Sequence, residues 1–131
     1  MSEVVNNNKS RNFKEALGNA WEGFWYAVKT QKNFVFHFSI SVLVIILALW
    51  LNVSFERFLF LLITIIFCLT VELGNTAIEK TVDLVTEKWN HKAKIAKDLS
   101  AGMMLLASLG SLIVGIIVLL PPLIQKIIDL L

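Results

Sequence analysis

Four polar side chains recur at helical spacing in the middle of the sequence: Glu72, Asn75, Glu79 and Asp83. At about 100° of rotation per residue they fall within an arc of roughly 80°, which is one face of a helix. Three carboxylates on one face repel one another unless a cation lies among them. Magnesium (Mg2+) takes oxygen ligands and usually keeps phosphates as partners. The pattern therefore predicts a site for a metal-bound phosphate; the alternative is a set of interhelical hydrogen bonds inside an oligomer.

The depth of these side chains in a membrane follows from the uncharged run before them. Glu72 lies 15 residues after Arg57, or about 22 Å along a helix. Against a hydrocarbon core of ~30 Å, Glu72 would lie about 8 Å inside the edge, whereas Glu79 and Asp83 would lie at or beyond it. Carboxylates at membrane depth are costly and point to function. We therefore expect Glu72 to accept a proton near the membrane and Glu79 to face a metal-bound phosphate.

The composition indicates a membrane protein. Of the 131 residues, 56% are hydrophobic and only 17% are charged. A soluble domain of this size cannot bury so much apolar surface, because small domains have a high surface-to-volume ratio. The net charge of +2 is too small to suggest a nucleic-acid partner, and the single cysteine excludes an intrachain disulfide.

Three uncharged runs locate the membrane spans, at 33–55 with His37 neutral, 58–71 and 99–125. A spanning helix needs roughly 20 apolar residues, so the second run suffices only if its helix continues past Glu72. We predict spans at 33–52, at 55–86 including a cytoplasmic extension, and at 98–120. All of these belong to one domain over 1–131.

The segment before the first span has apolar residues at three- and four-residue spacing from Phe13 to Val28. This predicts an amphipathic helix over 12–30, with aromatic anchors, in the headgroup layer of the membrane. The alternative is a soluble helix that packs on the protein itself. Residues 1–11 are predicted to be a flexible tail. The predicted fold class is an all-α membrane protein with one amphipathic surface helix and three transmembrane helices.

The basic residues predict the orientation. Ten of the twelve lysines and arginines precede the first span or lie between the second and third, and only Arg57 and Lys126 fall on the other side. By the positive-inside rule, the N-terminus and the second loop lie in the cytoplasm and the C-terminus lies outside.

Lys97 and Asp98 end that second loop. Lys97 could hold a phosphate, and Asp98 could cap the third span or compensate its dipole. The presence of these two residues is explained about as well by their position at the start of a helix and by the excess of basic residues on the cytoplasmic side. No Walker-A, Rossmann or kinase glycine pattern is present. His37 is interpreted as a packing or headgroup contact rather than a catalyst.

The stretch from Glu72 to Glu79, followed by Val82-Asp83 and by Ala96-Lys97-Asp98, resembles the signature of the small prokaryotic integral-membrane lipid kinases. That family comprises diacylglycerol kinase and undecaprenol kinase. The resemblance runs from about Asn12 to Leu120. Asn33-Phe34 with His37, and the stretch from Ala93 to Asp98, look more like the undecaprenol kinase branch.

The resemblance implies a homotrimeric helical bundle in the bacterial cytoplasmic membrane, with active sites shared between subunits at the cytoplasmic surface. It implies transfer of the γ-phosphate of ATP, with magnesium, to the hydroxyl of a membrane lipid. Undecaprenol is the expected acceptor, and diacylglycerol is the alternative. By motif position Glu72 matches the general base and Glu79 a metal ligand. The nucleotide-binding set is predicted to be Asn75, Glu79, Asp83, Lys88, Lys97 and Asp98.

One position departs from the family pattern. The family usually has a second metal-binding glutamate shortly before the Asn-Phe pair, and this chain has Gln31 there. An amide oxygen can coordinate magnesium but brings no charge, so we expect weaker metal binding or help from Glu22. Two rivals to a kinase are a small homo-oligomeric channel or scaffold, and a lipid phosphatase, for which the chain lacks the expected His and Arg constellation.

Overall fold

The computed structural model describes residues 12–131, and the predicted tail over 1–11 lies outside the described residues. The described part contains four α-helices and no strand, which confirms the predicted all-α class. The helices are α1 (Phe13–Thr30), α2 (Lys32–Trp50), α3 (Phe55–Val85) and α4 (His91–Ile128).

Helices α2, α3 and α4 are long and apolar enough to cross a membrane, as predicted. With 31 and 38 residues, α3 and α4 are about 46 and 57 Å long. Both exceed a hydrocarbon core of ~30 Å. This length allows the end of α3, from Glu79 on, and the first turns of α4 to reach beyond an apolar layer of that thickness.

A short turn joins α2 to α3. Asn52 adopts a left-handed backbone conformation with φ of 50°, which asparagine tolerates better than most residues. The backbone N–H of Val53 donates to the carbonyl of Ala48 at 3.2 Å and closes the end of α2. As a result α2 and α3 run antiparallel. We call this end of the bundle the turn end and the opposite end, which carries Glu79 and Lys97, the charged end.

The buried core is small and lies at the turn end. Its packed cluster consists of Ala48, Leu51, Leu61, Val118 and Leu119. Lys126 closes this end, because its ammonium donates to the Trp50 carbonyl at 2.8 Å and lies 4.3 Å from the centre of the Trp50 ring. Most other large apolar side chains of α2, α3 and α4 are exposed. An exposed apolar surface of this extent is suited to lipid or to further subunits.

Helix α1 packs on the start of α2 through its second half. Phe24 lies edge-on to Phe34, with ring centres 5.5 Å apart, and both Phe34 and Ala27 are buried. The apolar stripe of the first half is free: Leu17 and Trp21 are 63% and 60% exposed. The predicted helix is present, and its location in the headgroup layer stays a prediction.

The start of α4 corrects one expectation. The side chain of Asn90 accepts hydrogen bonds from the backbone N–H groups of Lys92 and Ala93, at 2.9 and 3.2 Å, and thus caps the helix. Asp98 lies about two turns further on. The interpretation of Lys97 and Asp98 as a helix entry, with Asp98 as the cap, is therefore wrong. The charged segment looked like a loop because its lysines lie on a solvated helix.

Candidate active site

The polar face of α3 becomes more exposed toward the charged end. Glu72 is 2% exposed and Asn75 is 5% exposed, whereas Glu79 is half-buried and Asp83 is exposed. Because α3 is continuous through Val85, all four side chains lie on one helix. Their order of exposure follows the order of depth that the sequence predicts.

Two oxygens at the buried part of this face have no partner. Glu72 Oε2 and Asn75 Oδ1 are buried and accept no hydrogen bond from the described residues. The amide nitrogen of Asn75 donates to Glu79 Oε1 at 3.3 Å. A buried polar atom without a partner costs about 1–3 kcal/mol, so such atoms are rare. Because both are acceptors, what completes the site is a proton donor or a cation.

An ion pair joins α4 to this face at the charged end. Lys97 Nζ lies 2.5 Å from Asp83 Oδ1. Leu61 on α3 and Leu119 on α4 belong to the same core cluster at the turn end. Asp83 lies as many residues after Leu61 as Lys97 lies before Leu119, so the antiparallel register of the two helices places Asp83 and Lys97 at the same height. Both side chains are about half exposed, and exposed ion pairs contribute little to stability. A polyphosphate can therefore compete with Asp83 for Lys97.

The other predicted site residues make their contacts elsewhere. Asp98 accepts a hydrogen bond from Lys94 at 2.6 Å, one turn earlier on α4. Lys88 lies exposed in the turn before α4, where its backbone bonds with Thr86. Hydrogen bonds and the ion pair thus tie Asn75 to Glu79 and Asp83 to Lys97, but they do not connect Asp98 or Lys88 to that group.

Gln31 lies at the junction of α1 and α2. Its side-chain nitrogen donates to the Thr30 hydroxyl at 2.8 Å, which leaves the amide oxygen available as a ligand. Residues 12–131 contain no group of three or more His, Cys, Asp or Glu that could hold a metal. Magnesium often needs only one or two carboxylates, because water and substrate phosphates supply the remaining ligands. The assignment of Glu79 and Gln31 to a metal stays a prediction.

An apolar groove runs along the spanning helices beside this site. It has a volume of about 710 Å³, and α2, α3 and α4 all contribute to its wall. Cys68, one turn before Glu72 on α3, lines it, and so does His37 on α2. The interpretation of His37 as a packing or headgroup contact stays a prediction.

The fold and the site together define a class. Three spanning helices carry a buried carboxylate between an apolar groove and a charged, water-facing end, which suits a membrane enzyme that joins an amphiphile to a polar reactant. The family model for prokaryotic diacylglycerol kinase matches residues 18–119. The chain belongs to this family, and it is a lipid kinase.

Individual relatives agree with this assignment. The undecaprenol kinase of Bacillus subtilis is 34% identical over 123 residues, which cover 94% of this chain and 100% of the relative. The diacylglycerol kinase of Synechocystis sp. is 43% identical over 107 residues, or 81% of this chain and 61% of the relative. The diacylglycerol kinase of Escherichia coli is 27% identical over 105 residues, or 80% of this chain and 86% of the relative. Kinase activity in this family implies the use of ATP.

Proposed function

We propose that this kinase phosphorylates undecaprenol to undecaprenyl phosphate at the expense of ATP. The observation that carries the proposal is the buried Glu72 carboxylate, which has an unpartnered oxygen and lies one turn beyond the wall of an apolar groove. This arrangement accommodates a lipid with a long apolar chain whose hydroxyl group donates a hydrogen bond to the carboxylate. The relative that matches along its whole length is an undecaprenol kinase.

In the proposed reaction, Glu72 takes the proton of the lipid hydroxyl. The hydroxyl oxygen then forms a bond to the γ-phosphorus of ATP, the bond between that phosphorus and the bridging oxygen of the β-phosphate breaks, and ADP leaves with the electron pair. Phosphoryl transfer depends mostly on positioning and on neutralising charge. A positioned base typically contributes about 10²–10⁴-fold.

The oxygen donors at the charged end fit a magnesium ion. Glu79 and the amide oxygen of Gln31 would hold it, and Asn75 Oδ1, which accepts no hydrogen bond within residues 12–131, adds a further oxygen beside Glu79. Bound magnesium supplies charge neutralisation to the phosphates. Because only one of the two proposed ligands is charged, we expect the requirement for magnesium to be higher than with two carboxylates.

The nucleotide is proposed to lie along the exposed part of the polar face. Lys97 exchanges its partner Asp83 for phosphate oxygens, since an ammonium binds phosphate as a point charge. Asn75 and Glu79 lie at the inner limit of this region. Lys88 and Asp98 are proposed to line its outer part, where both are exposed.

The proposed setting is the bacterial cytoplasmic membrane, with the charged end in the cytoplasm and the C-terminus outside. The bias of ten basic residues toward the charged side supports this orientation. A homotrimer is proposed as the working unit, because the apolar faces of α2, α3 and α4 have few partners within one chain.

Diacylglycerol is the second candidate acceptor, since two of the compared relatives carry the name diacylglycerol kinase. The family assignment removes the channel, scaffold and phosphatase alternatives. The test is phosphorylation by the purified protein, in detergent micelles, with γ-labelled ATP and either undecaprenol or diacylglycerol. We expect the label in undecaprenyl phosphate at the higher kcat/KM. Preferential labelling of phosphatidic acid would contradict the proposal and favour the second candidate.

A further inference from the structure

His37 lies at the same height in the bundle as Glu72. Ala48 on α2 and Leu61 on α3 belong to the same core cluster at the turn end. The number of residues from Ala48 back to His37 equals the number from Leu61 on to Glu72, and both helices rise by about 1.5 Å per residue. The antiparallel register therefore places the two side chains level with each other.

Two further observations agree with this register. Ser41 and Cys68 lie equally far from Ala48 and Leu61, which makes them level with each other, and both line the groove. Along α4, Ser108 lies as many residues before Leu119 as Glu72 lies after Leu61, and Ser108 also lines the groove. The groove thus extends to the height of the buried carboxylate.

The hydroxyl groups of the groove wall are already used. Each donates to the backbone carbonyl of a residue four positions earlier, at 2.7–2.9 Å; they belong to Ser41, Thr64, Ser108 and Ser111. The Ser41 hydroxyl bonds to the backbone carbonyl of His37 and not to its side chain. The ring nitrogens of His37 therefore have no hydrogen-bond partner in residues 12–131. The groove wall therefore resembles hydrocarbon, with one uncommitted polar ring at the height of Glu72.

We propose that His37 is a positioning residue for the head of the acceptor alcohol. The apolar tail occupies the groove, and the hydroxyl lies between the imidazole of His37 and the Glu72 carboxylate. A ring N–H of His37 donates a hydrogen bond to the hydroxyl oxygen, so that the hydroxyl proton points to Glu72. His37 itself neither gains nor loses a proton. This inference rests on the proposed function. It adds a contact that favours lipids with a single small polar head group at the depth of Glu72.

The test compares variants that differ in the hydrogen-bonding capacity of this side chain. His37→Leu and His37→Phe remove it, whereas His37→Gln keeps an N–H donor. His91→Leu is the matched control, because His91 is the other histidine of the chain and is exposed at the first turn of α4. Full-length proteins are assayed in micelles for kcat, for KM of the lipid alcohol as a mole fraction, and for KM of ATP.

We expect His37→Leu and His37→Phe to lower kcat/KM for the lipid alcohol by about three- to tenfold, which corresponds to one ordinary hydrogen bond. KM for ATP should stay unchanged, His37→Gln should recover most of the loss, and His91→Leu should behave as the wild type. A second measurement needs no ATP: addition of farnesol should raise the melting temperature of the wild type and of His37→Gln more than that of His37→Leu.

Two results would overturn the assignment of His37. One is an unchanged kcat/KM for the lipid in His37→Leu and His37→Phe, as expected if the groove is filled by a second copy of the chain. The other is an equal loss in all three His37 variants that also raises KM for ATP, as a purely structural role would produce. If the His37→Leu protein does not fold, the comparison uses the His37→Phe protein, because phenylalanine keeps a planar ring. A wild type that phosphorylates no lipid alcohol would instead refute the proposed function.

Discussion

The sharpest test of the site is Glu72→Gln. The side chain is 2% exposed, so the substitution must keep its size, and glutamine does. The change removes the proton acceptor and leaves the helix and its neighbours in place. A positioned base typically contributes about 10²–10⁴-fold to the rate, and kcat should fall by that factor.

The effect on stability is expected to be small. Glu72 Oε2 has no partner in the described residues, so the substitution breaks no hydrogen bond with them at that atom. An amide N–H₂ in the same place is a buried donor without a partner, which costs about 1–3 kcal/mol. Removing a buried charge offsets this cost, since unpaired buried charges are more expensive still. The melting temperature in micelles should therefore change little.

The assay follows labelled phosphate from ATP into the lipid, with size-exclusion chromatography as the control for assembly. Glu72→Asp keeps the carboxylate but moves it back by one methylene, so partial activity is expected. A folded Glu72→Gln protein with near-normal kcat would refute the role of Glu72 as the base. Loss of folding in Glu72→Gln would favour the reading of this face as structural.

Three further outcomes are expected. Lys97→Ala should raise KM for ATP about tenfold, as expected for a lost charge-assisted hydrogen bond, and should change KM for the lipid little. Gln31→Glu should lower the magnesium concentration for half-maximal activity, because a negative ligand strengthens binding of a hard cation, and Glu79→Gln in the same chain should abolish the benefit. Asn90→Ala should lower the free energy of unfolding by about 1 kcal/mol, since it removes the cap of α4, whereas kcat should be retained in the folded fraction.

The contradicting results are equally specific. Equal changes in both KM values for Lys97→Ala would make that lysine a structural residue of the charged end. An unchanged or higher magnesium requirement in Gln31→Glu would remove Gln31 from the metal site and would suggest repulsion of the phosphates. An unchanged thermal denaturation profile for Asn90→Ala would mean that the start of α4 is stabilised mainly by its packing on α3.

The local features of the sequence predicted most of the fold. Uncharged runs located all three long apolar helices, and the spacing of aromatic residues predicted α1, because both signals depend only on neighbouring residues. The start of α4 was missed, because Lys92, Lys94 and Lys97 are consistent with either a loop or a solvated helix. Asn90, a favourable N-cap residue just before this segment, was the signal that could have corrected it.

The pairing of side chains between helices could not be predicted in the same way. The common face of Glu72, Asn75 and Glu79 is a property of one helix and follows from spacing alone. The ion pair of Lys97 with Asp83 and the common height of His37 and Glu72 depend on the register between helices. That register is set at the turn end, where small and apolar residues such as Ala48 and Leu61 pack, and their spacing gives no sign of which residues meet.

The separation of Glu72 from Glu79 offers a physical reason why so small a chain can serve a reaction between two phases. The two carboxylates lie seven residues apart on α3, or about 10 Å along the helix axis. One is buried at the height where the groove ends, and the other is half-buried toward the charged end. A continuous helix fixes this interval, because its backbone hydrogen bonds are satisfied within the segment. In the proposed reaction the lipid hydroxyl lies at Glu72 and the metal-bound phosphates lie at Glu79, so that the γ-phosphate meets the hydroxyl between the two carboxylates. In this view α3 sets the interval between the proposed base and the proposed metal ligand, and the neighbouring helices supply the groove on one side and the cation Lys97 on the other.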